Sequence, residues 1–135
     1  MQIRCRHVDH VQLCVPPGTE EQARAFYENV LGFHRVEKPE SLRSWATQWF
    51  QNGDIEIHVA VDPVTERTKQ HPAMVVEKID DVRAFLVEQG IAIKEEPDIA
   101  DRKRFSFLDP WGNRIEFLEY FKDVASEVSP RLSRG

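Results

Sequence analysis

Between residues 8 and 15 the chain alternates, with Val11, Leu13 and Val15 on one face and His10, Gln12 and Cys14 on the other. That period of two predicts a half-buried strand, ended by Pro16, Pro17 and Gly18. Thr19 and Gln22 have the spacing of a capping box. The helix predicted after them carries Ala23, Phe26, Tyr27, Val30 and Leu31 on one stripe. Gly32 stands where a left-handed C-terminal residue is wanted. Strand-like stretches follow at 33–37, 44–50 and 55–61, the last two joined by Asn52-Gly53-Asp54, a hairpin signal. Residues 62–70 are polar, include Pro63 and show no period, so they read as a linker.

The same order then begins again. Residues 72–76 read as a strand, and Asp80 is expected to cap a helix with Val82, Phe85 and Leu86 inward, closed by Gly90. Strand-like stretches follow at 91–95, 105–108 and 114–120, with a turn at Asp109-Pro110-Trp111-Gly112-Asn113 before the last. Arg24-Ala25-Phe26 matches Arg83-Ala84-Phe85, and Gly32 matches Gly90 at an offset of 58 residues. The chain is thus an internal repeat: a first βαβββ module over 1–61, a linker at 62–70, a second module over 71–120 and a polar tail at 121–135. The fold class is α+β. Each helix covers one sheet face only, so two modules side by side can form a curved, cup-like sheet with helices outside and a pocket within.

Composition narrows the function classes. Apolar residues make up 41% and charged residues 30%, ordinary for a globular protein. The net charge of −5, with cations scattered among acids, argues against nucleic acid as a partner. No apolar run reaches the roughly 20 residues that span a membrane, and no apolar stretch near the start resembles a signal peptide. With only Cys5 and Cys14 and no CxxC spacing, the expectation is a reduced, cytoplasmic protein.

Four ionisable residues carry the chemical signal. His10, His58 and Glu116 each lie opposite the apolar stripe of their strand, and His71 begins the second repeat. The offset of 58 carries His58 onto Glu116, and His10 and His71 hold equivalent places on the first strand of each module. Three imidazoles and one carboxylate converging in a cavity suit a divalent cation such as Zn, Ni, Fe or Mn. Glu56 lies on the same face as His58 and is a rival ligand, whereas Glu119 points to the other face. Trp45 and Trp49 are candidate walls of a substrate pocket, with Arg104 at its edge to pair with a substrate carboxylate. Phe105 and Phe107 read as core.

Val8-Asp9-His10-Val11-Gln12-Leu13, Phe26-Tyr27 before Val30-Leu31-Gly32-Phe33, Ile57-His58-Val59, His71-Pro72-Ala73, and Asp109-Pro110-Trp111-Gly112-Asn113 with Ile115-Glu116-Phe117 together carry a resemblance. The chain resembles the vicinal-oxygen-chelate superfamily, which includes glyoxalases, bleomycin resistance proteins and dioxygenases. The resemblance implies a glyoxalase-like fold, and metal ligands at His10, His58, His71 and Glu116. It also implies a catalytic role in which Glu116 or Glu56 exchanges between ligand and base. Glyoxalase I enzymes usually have glutamate where His58 stands here. Thiol transferases acting on fosfomycin use two histidines and a glutamate, which His10, His71 and Glu116 would supply, yet no dense cationic cluster for a phosphonate is evident. Two classes follow from the resemblance: a metal-dependent lyase, isomerase, transferase or dioxygenase acting on a small oxygen-chelating substrate, or a metal-free drug-binding protein. A homodimer is expected in either case.

Overall fold

A computed structural model describes residues 1–121 apart from 3, 5, 44–45 and 64–69. Trp45 therefore lies outside the described residues. The first module runs β1 (Val11–Val15), α1 (Glu20–Ala25), β2 (His34–Val36), β3 (Thr47–Asn52) and β4 (Ile55–Val61). The second runs β5 (Ala73–Val75), α2 (Ile79–Glu88), β6 (Lys94–Glu95), β7 (Arg102–Leu108) and β8 (Arg114–Tyr120). Each forms its own four-stranded sheet, in the orders β1-β4-β3-β2 and β5-β8-β7-β6. The first strand of each pairs in parallel with the last, and the remaining pairs are antiparallel. This is the α+β architecture of two repeated modules that the pattern predicts.

The helices depart from the sequence pattern in instructive ways. The first continues as a π-helical turn, Phe26–Val30, in which the Leu31 amide donates to the Phe26 carbonyl. The wider turn places two consecutive aromatics, Phe26 and Tyr27, in the core. Thr19 and Gln22 do not form the expected capping box: the Thr19 hydroxyl donates to the Pro16 carbonyl, and no side chain caps α1. Nor does Asp80 cap α2. The helix starts two residues earlier, after Lys78 in a left-handed conformation (φ 55°), and the Glu119 carboxylate accepts from the Lys78 and Ile79 amides. A cap supplied by β8 is invisible to local spacing. Phe85, expected inward, is exposed, because Ile79, Val82 and Leu86 set the buried stripe and Phe85 lies about 90° around the helix from its centre.

One apolar cluster spans both modules, with Tyr27, Phe50 and Ile57 from the first and Leu86, Phe105, Phe107 and Ile115 from the second. Phe105 and Phe107 are core residues, as expected. The five-residue turn between β7 and β8 adds a polar clasp. The Tyr27 hydroxyl and the Asn113 amide both donate to Asp109 Oδ2, at 2.9 and 2.7 Å, and the Trp111 and Asn113 backbone amides donate to its Oδ1. The same Asn113 side chain donates to the Cys14 carbonyl in β1 at 2.8 Å. Burial, then the neighbouring Asp109 carboxylate, pushes the Tyr27 hydroxyl well above the usual tyrosine range.

Candidate metal centre

The last strand of each module, with the residues just ahead of its parallel partner, delivers the candidate ligands. In β4, Ile57 and Val59 face the core, so His58 and Glu56 face the opposite side. Strand register places Gln12 beside His58 from one neighbour and Trp49 beside it from the other, while Gln51 lies opposite Glu56. His10, two residues ahead of Gln12, reaches the same face. There the His58 ring stacks on His10 at 3.9 Å between centroids and on Trp49 at 4.1 Å. His58 Nε2 is 2.7 Å from Glu56 Oε2, and His10 Nδ1 is 2.9 Å from Asp9 Oδ2. His58 is buried beneath these partners, with 5% of its surface exposed.

In β8, Glu116 occupies the position equivalent to His58 and is also buried. Its backbone amide donates to the Pro72 carbonyl, and Ser106 lies directly across the hairpin. His71 Nε2 approaches Glu116 Oε1 at 3.2 Å. Arg104 Nη1 lies 3.4 and 3.5 Å from the two carboxylate oxygens, while its Nε and Nη2 donate to the Pro97 carbonyl. The Ser106 hydroxyl donates to Glu96 at 2.6 Å, and Arg114 also pairs with Glu96. The hydrogen bond from Ser106, then that from Arg114, holds the Glu96 carboxyl below the usual range.

The four residues singled out from the sequence therefore fall into two pairs: His10 with His58, and His71 with Glu116. Among the described residues, the group of three potential ligands whose donor atoms lie within 4.8 Å of one another is His10, Glu56 and His58. Two imidazoles and a carboxylate are a donor set that fits a borderline or hard divalent cation. Glu56 thus joins the cluster, and the period of two on β4 is the signal that marks it. The contact of Trp49 with His58 is likewise readable from the hairpin, because Asn52 pairs with Ile55 and counting back three places Trp49 opposite His58.

Residues 7–117 match the model of the Glyoxalase/Bleomycin resistance protein/Dioxygenase superfamily. No curated protein matches the chain. Among solved structures, it is similar to a glyoxalase family protein from Bacillus anthracis, with 41% identity and a TM-score of 0.81, covering 90% of this chain and 100% of that one. It is also similar in fold to the fosfomycin resistance protein FosX from Listeria monocytogenes, complexed with Mn(II) and sulfate. There the identity is 17% and the TM-score 0.70, with 95% and 99% of the two chains covered. A virulence protein from Salmonella typhimurium matches at 22% identity and a TM-score of 0.66, over 88% of this chain and 100% of that one.

Proposed function

Since the chain belongs to the Glyoxalase/Bleomycin resistance protein/Dioxygenase superfamily, we propose that it is a divalent-metal-dependent enzyme acting on a small oxygen-chelating substrate. The observation that carries this reading is the convergence of His10, Glu56 and His58 within 4.8 Å. His10 and His58 hold the ion from the first module. His71 and Glu116 complete the site from the second module of another copy of the chain, so the working form is a homodimer. The Mn(II) complex of FosX, a protein of the same fold, supports a cation of this class.

A bound cation supplies Lewis acidity, stabilising negative charge that develops on a chelated substrate. The chain's own groups do the rest. Glu56 orients the His58 ring by a hydrogen bond to Nε2. Glu116 is the acid–base residue, its carboxylate steered by Arg104 and His71. Arg104 faces the same side and gives the substrate side of the site a positive charge.

The binding-protein reading has one observation in its favour. A groove of about 710 Å³ runs between the modules, walled by Phe26, Val30, Ile91, Phe107 and Leu108, which suits an apolar guest. Elemental analysis of protein purified without chelator separates the two readings. A near-stoichiometric metal, lost in both His58→Ala and Glu116→Ala, is the expected result for the enzyme. Protein that holds no metal, and gains no thermal stability from added Mn, Ni, Zn or Fe, leaves the groove as the functional site.

A further inference from the structure

We infer that Trp49 is a positioning residue for His58, holding the imidazole in its ligand orientation. The inference rests on the metal site proposed above. His58 is enclosed on three sides. Trp49 covers one ring face at 4.1 Å with the planes 3° apart, and His10 covers the other at 3.9 Å and 15°. The Glu56 carboxylate takes the edge nitrogen Nε2 at 2.7 Å. A ring fixed on two faces and one edge has no freedom to leave its rotamer.

The backbone dictates this arrangement. Trp49 and His58 are direct cross-strand partners, and such pairs hold their Cβ atoms about 4.5–5.5 Å apart. That spacing is close to the separation of two stacked rings. The indole face toward His58 is therefore already occupied, and a substrate stacked there would have to displace the imidazole.

His10 stands differently. Its side chain is 39% exposed, against 7% for that of His58, and it precedes β1 instead of lying within a strand. An imidazole offers its lone pair in the plane of the ring. Two rings stacked within 15° of parallel cannot both aim in-plane lone pairs at one ion. One ring must turn as the ion binds, and His10 has the room. Trp49 and Glu56 thus make His58 the fixed ligand, and His10 is the ligand that swings.

The test uses the full-length protein with metal salts alone as probes. In metal-free protein, proton NMR of the His58 ring is expected to show an upfield ring-current shift. The shift should fall in Trp49→Leu to the smaller contribution of the His10 ring, and persist more fully in Trp49→Phe. Calorimetric titration with Ni(II) should show affinity lowered about 10–100-fold in Trp49→Leu and restored to within a few-fold of wild type in Trp49→Phe. Thermal melts identify a variant that has lost its fold, and Trp49→Phe keeps the ring and the bulk. Equal Ni(II) affinity in wild type and Trp49→Leu overturns the inference. An unshifted His58 ring in the wild type overturns it as well. Wild-type protein that takes up no metal overturns the proposed function and removes the ligand role from His58; it differs visibly from equal binding by the two proteins.

Discussion

The two modules share a strand order yet present different chemistry on the face turned away from their helices. The first offers two imidazoles, the Glu56 carboxylate and an indole; the second offers one imidazole, the Glu116 carboxylate and the Arg104 guanidinium. The repeat maps Glu56 onto Arg114, 58 residues later, so the charge at that position is inverted. Arg114 is spent internally, on Glu96. Two copies of one topology thus carry different groups, stacked imidazoles in the first and a carboxylate held by Arg104 and His71 in the second. Function here resides in single positions on a repeated scaffold.

The modules differ in how they are joined as well, and the largest expected effect lies at the join. Asp109→Ala strips the acceptor from the buried Tyr27 hydroxyl, the Asn113 side chain and two backbone amides. Each donor left without a partner costs about 1–3 kcal/mol, so the variant should lose more than about 3 kcal/mol by chemical denaturation. Tyr27→Phe, which leaves Asp109 its other donors, should lose only about 1 kcal/mol. Comparable losses in both would mean that the Asp109 bonds within the turn add nothing to the one from Tyr27.

A second contrast sets equivalent positions against each other. Glu56→Gln should weaken Mn(II) binding about 10-fold, while Arg114→Gln should leave it unchanged, as read by isothermal titration. Equal losses would mean that Glu56 does not act through the His58 ring. Next in size is the cap on α2. Glu119→Ala frees the Lys78 and Ile79 amides and should cost about 1 kcal/mol, whereas Thr19→Ala, which removes no side-chain cap from α1, should cost less.

The smallest effect is a matter of pH. Glu96 has its folded pKa lowered by Ser106 and Arg114, so its contribution is present above the ordinary glutamate range, about 4.3, and fades as pH falls through the lowered folded value. Ser106→Ala should therefore lower the melting temperature modestly at neutral pH. The gap to wild type should close in acid. A gap that widens in acid would reverse the assigned sign.

Much of this could be read from the residues themselves. Alternation marked β1, β4 and β8, the Asn52-Gly53-Asp54 turn set the β3–β4 register, and the offset of 58 paired His58 with Glu116. What escaped was long-range or depended on neighbours. Glu119 caps a helix 40 residues away, and the π-helical turn at Phe26 answers the packing of two aromatics in succession. Trp49 reads equally as pocket wall or ring platform until its partner on β4 is seen. Whether the two pairs of ligand candidates meet depends on how whole modules dock, which no local period encodes.

A site shared between the first module of one copy and the second module of another is tested most directly by mixing variants. His58→Ala and Glu116→Ala proteins are each prepared metal-free, then unfolded and refolded together to exchange subunits. Neither variant alone should bind Mn(II) tightly. The mixed dimer pairs an intact first module with an intact second module at one of its two sites, and should regain tight binding in the heterodimeric fraction. If the mixture binds no more than the separate variants while the wild type binds in full, the site is built within one chain and the account is wrong.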